Sequence, residues 1–171
     1  MNDRKAIALL TLFLALLLAA ACKRQPAGFG EGTELFVVAD SSTWQACETV
    51  LRDAFEKAIN TPMPEPLFQV VWVAPEQFSK VANRKNLALV GTLDSEGEIS
   101  QKIAGMLAGD VRAKVEEGSA FVFPKENPWA SGQLLLVLAS NNTEELKTRI
   151  GESKDYLYGL LYDHLLQDTK A

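Results

Sequence analysis

Apolar residues in this chain come in short unbroken runs that alternate with spaced, one-faced patterns. Residues 35–39 are continuously apolar, as expected of a strand buried on both faces. Trp44, Cys47, Val50, Leu51, Ala54, Phe55, Ala58 and Ile59 then recur at helical spacing, with Asp40, Ser41 and Ser42 ahead of them as cap candidates. Prolines at 62, 64 and 66 predict a stiff extended connection into a second strand at 68–73. Pro75 opens a short helical turn through Phe78 and Val81, and residues 86–90 form a third strand ended by Gly91. Ile99, Ile103, Met106, Leu107, Val111 and Val115 predict a helix broken near Gly109. Strands at 120–123 and 133–139 follow, joined by a loop with two prolines and a glycine. Asn142 with Glu145 three residues on marks the cap of a last helix, through Leu146, Ile150, Leu157, Leu160, Leu161 and Leu165, with Gly151 as its weak point.

These elements predict an α/β fold, a mixed five-stranded sheet with about three packed helices in a single domain. The first strand, helix and second strand should form a right-handed parallel crossover. The domain spans residues 34–168. Residues 22–33 hold three glycines and a proline without apolar periodicity, as in a flexible tether.

Residues 1–21 predict a signal peptide. Asp3, Arg4 and Lys5 precede an apolar run from Ala6 to Leu18, which is shorter than the roughly 20 residues a membrane-spanning helix needs. Leu18-Ala19-Ala20-Ala21-Cys22 resembles a bacterial lipobox, with Ala19 where Leu, Val or Ile is usual. The resemblance implies cleavage before Cys22, acylation of its thiol with chains such as palmitate, and attachment to the membrane through that lipid. Cleavage at an Ala-x-Ala site would instead leave a soluble exported protein. Lys23 stands where Asp would signal inner-membrane retention, so the expected location is the bacterial cell envelope, at the outer membrane and facing the periplasm.

The composition is 47% hydrophobic and 23% charged, which suits a globular domain. A net charge of -5 gives no electrostatic basis for nucleic-acid binding. With Cys22 lipidated, Cys47 has no intramolecular partner for a disulfide. His164 is the single histidine and has no nucleophile placed beside it in sequence, so no catalytic residue is assigned. Cys47 and His164 cannot supply a four-ligand metal site, and Cys47 falls on the apolar helix face.

Asp40-Ser41-Ser42-Thr43-Trp44 superficially resembles the metal motif of von Willebrand A domains, but Trp44 replaces a ligating serine. Helix capping explains the same residues, and so does an anion or polar ligand at a helix N-terminus. Asp94-Ser95-Glu96-Gly97-Glu98 invites a calcium reading. Placing Gly97 at the sixth position of an EF-hand loop, however, puts Ile103 where the bidentate Glu belongs. No phosphate-cradling glycine motif occurs, and no metal or cofactor is expected.

Two regions are left as candidate contacts. Trp129 lies in the loop between the last two strands, either as a partner contact or folded back over the sheet edge. Asp40, Ser41 and Ser42, with Thr92 and Asp94, would line one mouth if the first and third strands are parallel neighbours.

Pro64-Glu65-Pro66-Leu67-Phe68, Asn86-Leu87-Ala88-Leu89-Val90 and Trp129-Ala130-Ser131-Gly132-Gln133, together with the lipobox, resemble an uncharacterised bacterial lipoprotein family known only as a domain of unknown function. The resemblance covers roughly residues 35–165. It implies relatives with a further C-terminal region, and it brings no catalytic residue with it. The expected function is a lipid-anchored, non-catalytic binding module for an envelope protein. The alternative is a small-ligand-binding protein or enzyme subunit using the strand C-terminal loops.

Overall fold

The computed structural model describes residues 34–56 and 68–168, with side chains through Leu161. The signal peptide, Cys22, the tether and the proline-rich connection at 61–66 lie outside the described residues, as does the side chain of His164. Five strands form one mixed sheet: β1 (Glu34–Ala39), β2 (Gln69–Val73), β3 (Leu87–Thr92), β4 (Val122–Glu126) and β5 (Leu134–Ser140), in the order β2-β1-β3-β5-β4. β1 is parallel to both β2 and β3, β3 is parallel to β5, and β4 is antiparallel to β5. The central strands are parallel and covered on both faces, which is why β1 and β3 read as unbroken apolar runs.

Among the described residues there are six α-helices: α1 (Ser41–Phe55), α2 (Phe78–Val81), α3 (Glu98–Met106), α4 (Gly109–Glu116), α5 (Thr143–Glu152) and α6 (Lys154–Asp168). Alternation along the strands sorts the core into two layers. Leu35, Val37, Ala88, Val90, Leu136 and Leu138 face α1, α5 and α6. Val38, Leu87, Leu89, Leu135 and Val137 face α2, α3 and α4. No described helix is long and apolar enough to cross a membrane.

The predicted sheet and its order of elements are present, and the differences are local. The break expected near Gly109 is present, at Leu107–Ala108 between α3 and α4, and the last predicted helix is two, broken at Ser153 close to its expected weak point Gly151. Gly91 does not end β3, which continues to Thr92. A Cβ at Gly91 would press on Ser100, 2.8 Å from its Oγ, so this glycine permits close packing of α3. β4 runs through Pro124, a residue expected in the loop. Proline is tolerated there because β4 is an edge strand.

The other edge, β2, is blocked by side chains of α1. Val70 donates its N–H to Glu56 Oε1 at 2.9 Å, and its carbonyl accepts from Arg52 Nη1 at 3.2 Å. Both backbone groups are thereby withheld from an incoming strand. The Arg52 guanidinium is held above its ordinary pKa, chiefly by its hydrogen bond to Glu48, with Glu56 adding to the effect against partial burial.

Candidate functional site

Because β1 and β3 are adjacent and parallel, their C-terminal ends bring residues 40–42 and 92–94 to one mouth. Open α/β sheets bind ligands at such an end, where the chain departs to opposite faces. Here α1 leaves β1 on one face and α3 follows β3 on the other. Asp40, Ser41, Ser42, Thr92 and Asp94 are therefore brought together, and Trp129 is not.

Asp40 occupies the N-cap position of α1, yet its side chain makes no cap bond to that helix. The carboxylate crosses to α3. It accepts from the Ile99 and Ser100 backbone N–H groups, each at 3.2 Å, and from Ser100 Oγ at 3.1 Å. This corrects the expectation that Asp40 caps its own helix. The cap position of α3 is Gly97, which has no side chain to offer, so a carboxylate nearly sixty residues away serves instead. A Cβ at Gly97 would collide with the Asp40 carboxylate, so glycine is required for that approach.

Ser100 extends the network to β3. Its Oγ accepts from the Thr92 N–H at 3.2 Å while donating to Asp40. Sequence reasoning missed both Ser100 and Gly97. The available signal was a helix starting at Glu98 with no Ser, Thr, Asp or Asn directly before it. Asp94 is exposed, and its N–H donates to the Asn141 carbonyl at 3.1 Å, tying the loop after β3 to the loop after β5.

Beside the mouth, Trp72 of β2 stacks on Trp44 with centroids 5.9 Å apart and planes 10° from parallel. Its Nε1 donates to the Ala39 carbonyl at 3.2 Å. Burial, the largest influence, pushes the Cys47 thiol up to about 11, with Lys147 pulling it down and Glu144 raising it, as its place in the core dictates. On the outer side of α5, Asn142 caps the helix by accepting from the Glu145 N–H at 3.0 Å, as predicted. Burial disfavours ionised Glu145, but contacts from Ser140 and Asn141 and the Arg149 guanidinium outweigh it and hold the carboxyl below its ordinary value. Glu145, Arg149 and Phe121 help to line an open depression that contains no predicted contact residue.

The Trp129 loop lies at the opposite end of the sheet, where β4 finishes and β5 begins. Buried Asn127 pins it: Nδ2 donates to the Ala82 carbonyl at 2.8 Å, and Oδ1 accepts the Trp129 N–H at 2.9 Å. Gly132, with φ +73, supplies the left-handed turn that returns the chain to β5. The indole meets Phe78 edge-on, with centroids 4.8 Å apart and planes at 80°. It remains 38% exposed, so it both folds back onto the domain and presents a surface. Among the described residues, no group of His, Cys, Asp and Glu side chains is arranged to hold a metal ion.

Residues 28–171 match the family model of a domain of unknown function, DUF8532, and the chain belongs to that family. No curated protein and no solved structure matches it.

Proposed function

We propose that this DUF8532 protein is an exported, lipid-anchored component of the bacterial cell envelope, whose α/β domain is a non-catalytic interaction module. Support for the anchor comes from the signal-like N-terminus and from Cys22 after the small residues 19–21. Several acyl chains on Cys22 hold firmly, because each buried methylene contributes about 0.8 kcal/mol. Lys23 favours the periplasmic face of the outer membrane.

The observation that supports the interaction role is the pinned Trp129. A tryptophan whose backbone N–H is held by Asn127 and whose indole packs on Phe78, still 38% exposed, offers a large contact surface that loses little entropy on binding. The test is a crosslinked pull-down of the tagged, membrane-anchored chain from its solubilised envelope, with Trp129→Ala as control. A stoichiometric protein partner lost in the control is expected; recovery of the bait alone, or a partner unaffected by the substitution, sinks the proposal. Cys22→Ala should release the protein from the membrane fraction, and continued retention would overturn the lipid anchor.

A second reading, a small-ligand-binding protein, is favoured by one observation: the loops after β1 and β3 converge at a parallel-strand end.

A further inference from the structure

Resting on the interaction role of Trp129, we propose that the face around this indole docks an acidic segment of a partner protein, with an apolar side chain of that segment on Trp129 and its carboxylates on Arg84, Lys102 and Lys125. Two independent observations lead to it.

The first is what borders the aromatic pair. Phe78 meets the Trp129 indole with centroids 4.8 Å apart, and Lys102 Nζ lies over the Phe78 ring, 4.9 Å from its centroid. α3 thus brings a cation to the ring that supports the indole. One turn further along α3, the Met106 carbonyl accepts from Lys125 Nζ at 2.7 Å, which places a second cation beside the end of that helix. On the other flank of the loop, the Gln133 side-chain amide donates to the Arg84 carbonyl at 2.9 Å, so Arg84 adjoins the return into β5. Three cations from three separate segments therefore border one loop.

The second is what these cations lack. Of the described arginines, Arg52, Arg112 and Arg149 each pair with a carboxylate one helical turn away, and Arg84 pairs with none. Lys102 and Lys125 are held by a ring and a carbonyl, neither of which neutralises their charge. The chain carries 22 acidic residues against 17 basic ones, so a group of cations without carboxylates runs against its composition. The acid nearest in sequence, Glu126, alternates to the opposite face of β4 from Lys125, which shares the face of Phe123 and the α2–α4 layer. Its Oε1 is also taken up by its own loop, accepting from the Gly132 N–H at 3.4 Å and from Ser131 Oγ at 3.5 Å.

An exposed tryptophan supplies the buried contact of an interface, and a rim of unpaired charge sets the sign of the partner and its approach. An anionic membrane fits this face less well. Glu34 and Glu126 are exposed at the same strand end and would be pressed toward the headgroups, whereas a segment laid along α2 and α3 avoids both.

The test titrates the full-length chain in detergent with a short soluble peptide of aspartate and glutamate around one leucine, against the same peptide with amides in place of its carboxylates. Backbone amide and indole N–H signals are followed. The acidic peptide should give saturable shifts at Trp129 and around residues 84, 102 and 125, and raising salt from about 0.05 M to about 0.2 M should weaken binding several-fold. Lys102→Gln combined with Lys125→Gln should weaken it roughly tenfold, and Arg84→Gln, in an exposed loop, roughly threefold. Absent shifts, equal shifts from the amide peptide, or unchanged affinity in both variants would overturn the proposal. So would shifts produced only by phosphatidylglycerol vesicles, which would make the face a membrane contact. The envelope pull-down separates this proposal from the reading beneath it: a partner lost with Trp129→Ala but kept by both charge variants removes the acidic partner and leaves the interaction role, whereas a partner unaffected by Trp129→Ala removes both.

Discussion

At the end of the sheet where β1 and β3 finish, one carboxylate lies between two helix starts and serves the more distant one. At the other end, a loop asparagine joins its own loop to the neighbouring helical segment and holds a tryptophan half out of the protein. Both ends place a polar side chain in a buried position and satisfy it through backbone groups. They differ in what is left over. The Asp40 end leaves the start of α1 without a side-chain cap and a buried Thr92 hydroxyl without a partner. The Asn127 end leaves an aromatic surface packed on Phe78 and still partly exposed. A buried polar network therefore does more than stabilise: by choosing one partner, it determines which neighbouring groups remain available.

The largest effect should come from Asp40→Ala, which strands two buried N–H groups and the Ser100 hydroxyl. Urea unfolding should show a loss of about 3 kcal/mol, with Asp40→Asn recovering part of it. A loss near zero would mean that α3 finds another cap. At the opposite end, Asn127→Ala should cost about 2 kcal/mol in the same assay and increase amide exchange across residues 127–132. Trp129→Ala should cost less, about 1 kcal/mol, since much of the indole is already in water, while abolishing partner capture. An equal loss of stability in these two variants would make the tryptophan a structural lid.

Glu145 provides a pH test. Its folded pKa lies below the ordinary value of 4.5, so the ionised form stabilises the fold at neutral pH. That stabilisation is complete above the unfolded pKa and disappears as pH falls through the lower, folded one. Unfolding measured from pH 6 down to about pH 3 should show an acid loss in the native sequence that Glu145→Gln reduces by under about 1 kcal/mol. The smallest effect is expected for Thr92→Val, within about 0.5 kcal/mol of neutral or slightly stabilising, because the hydroxyl it removes satisfies nothing in the folded chain. The contrast between Asp40 and Thr92, both buried polar residues at the same end of the sheet, is the sharpest form of the comparison.

Much of the fold was legible in the pattern of residues. The unbroken apolar run of β1 announced a strand covered on both faces, β3 and β5 were visible as strands, and the Asn142 cap was visible three residues ahead of Glu145. Such features depend on neighbours within a few positions. Part of the candidate site was legible as well: Asp40 to Ser42 and Thr92 to Asp94 were expected to meet if two strands were parallel neighbours, and they are. Ser100 and Gly97 were not legible as parts of it.

What the amino-acid order determined by itself was local: strand and helix periodicity, the breaks near Gly109 and Gly151, the cap at Asn142, and the lipobox-like start. The tertiary structure decided which helix Asp40 caps, that Gly91 and Gly97 serve close contacts instead of ending elements, and that Trp129 sits at the far end from the other candidate residues. The physical reason is that a helix N-terminus presents its orphan N–H groups to whatever acceptor packing brings within about 3 Å. Sequence separation does not enter that distance; strand order does.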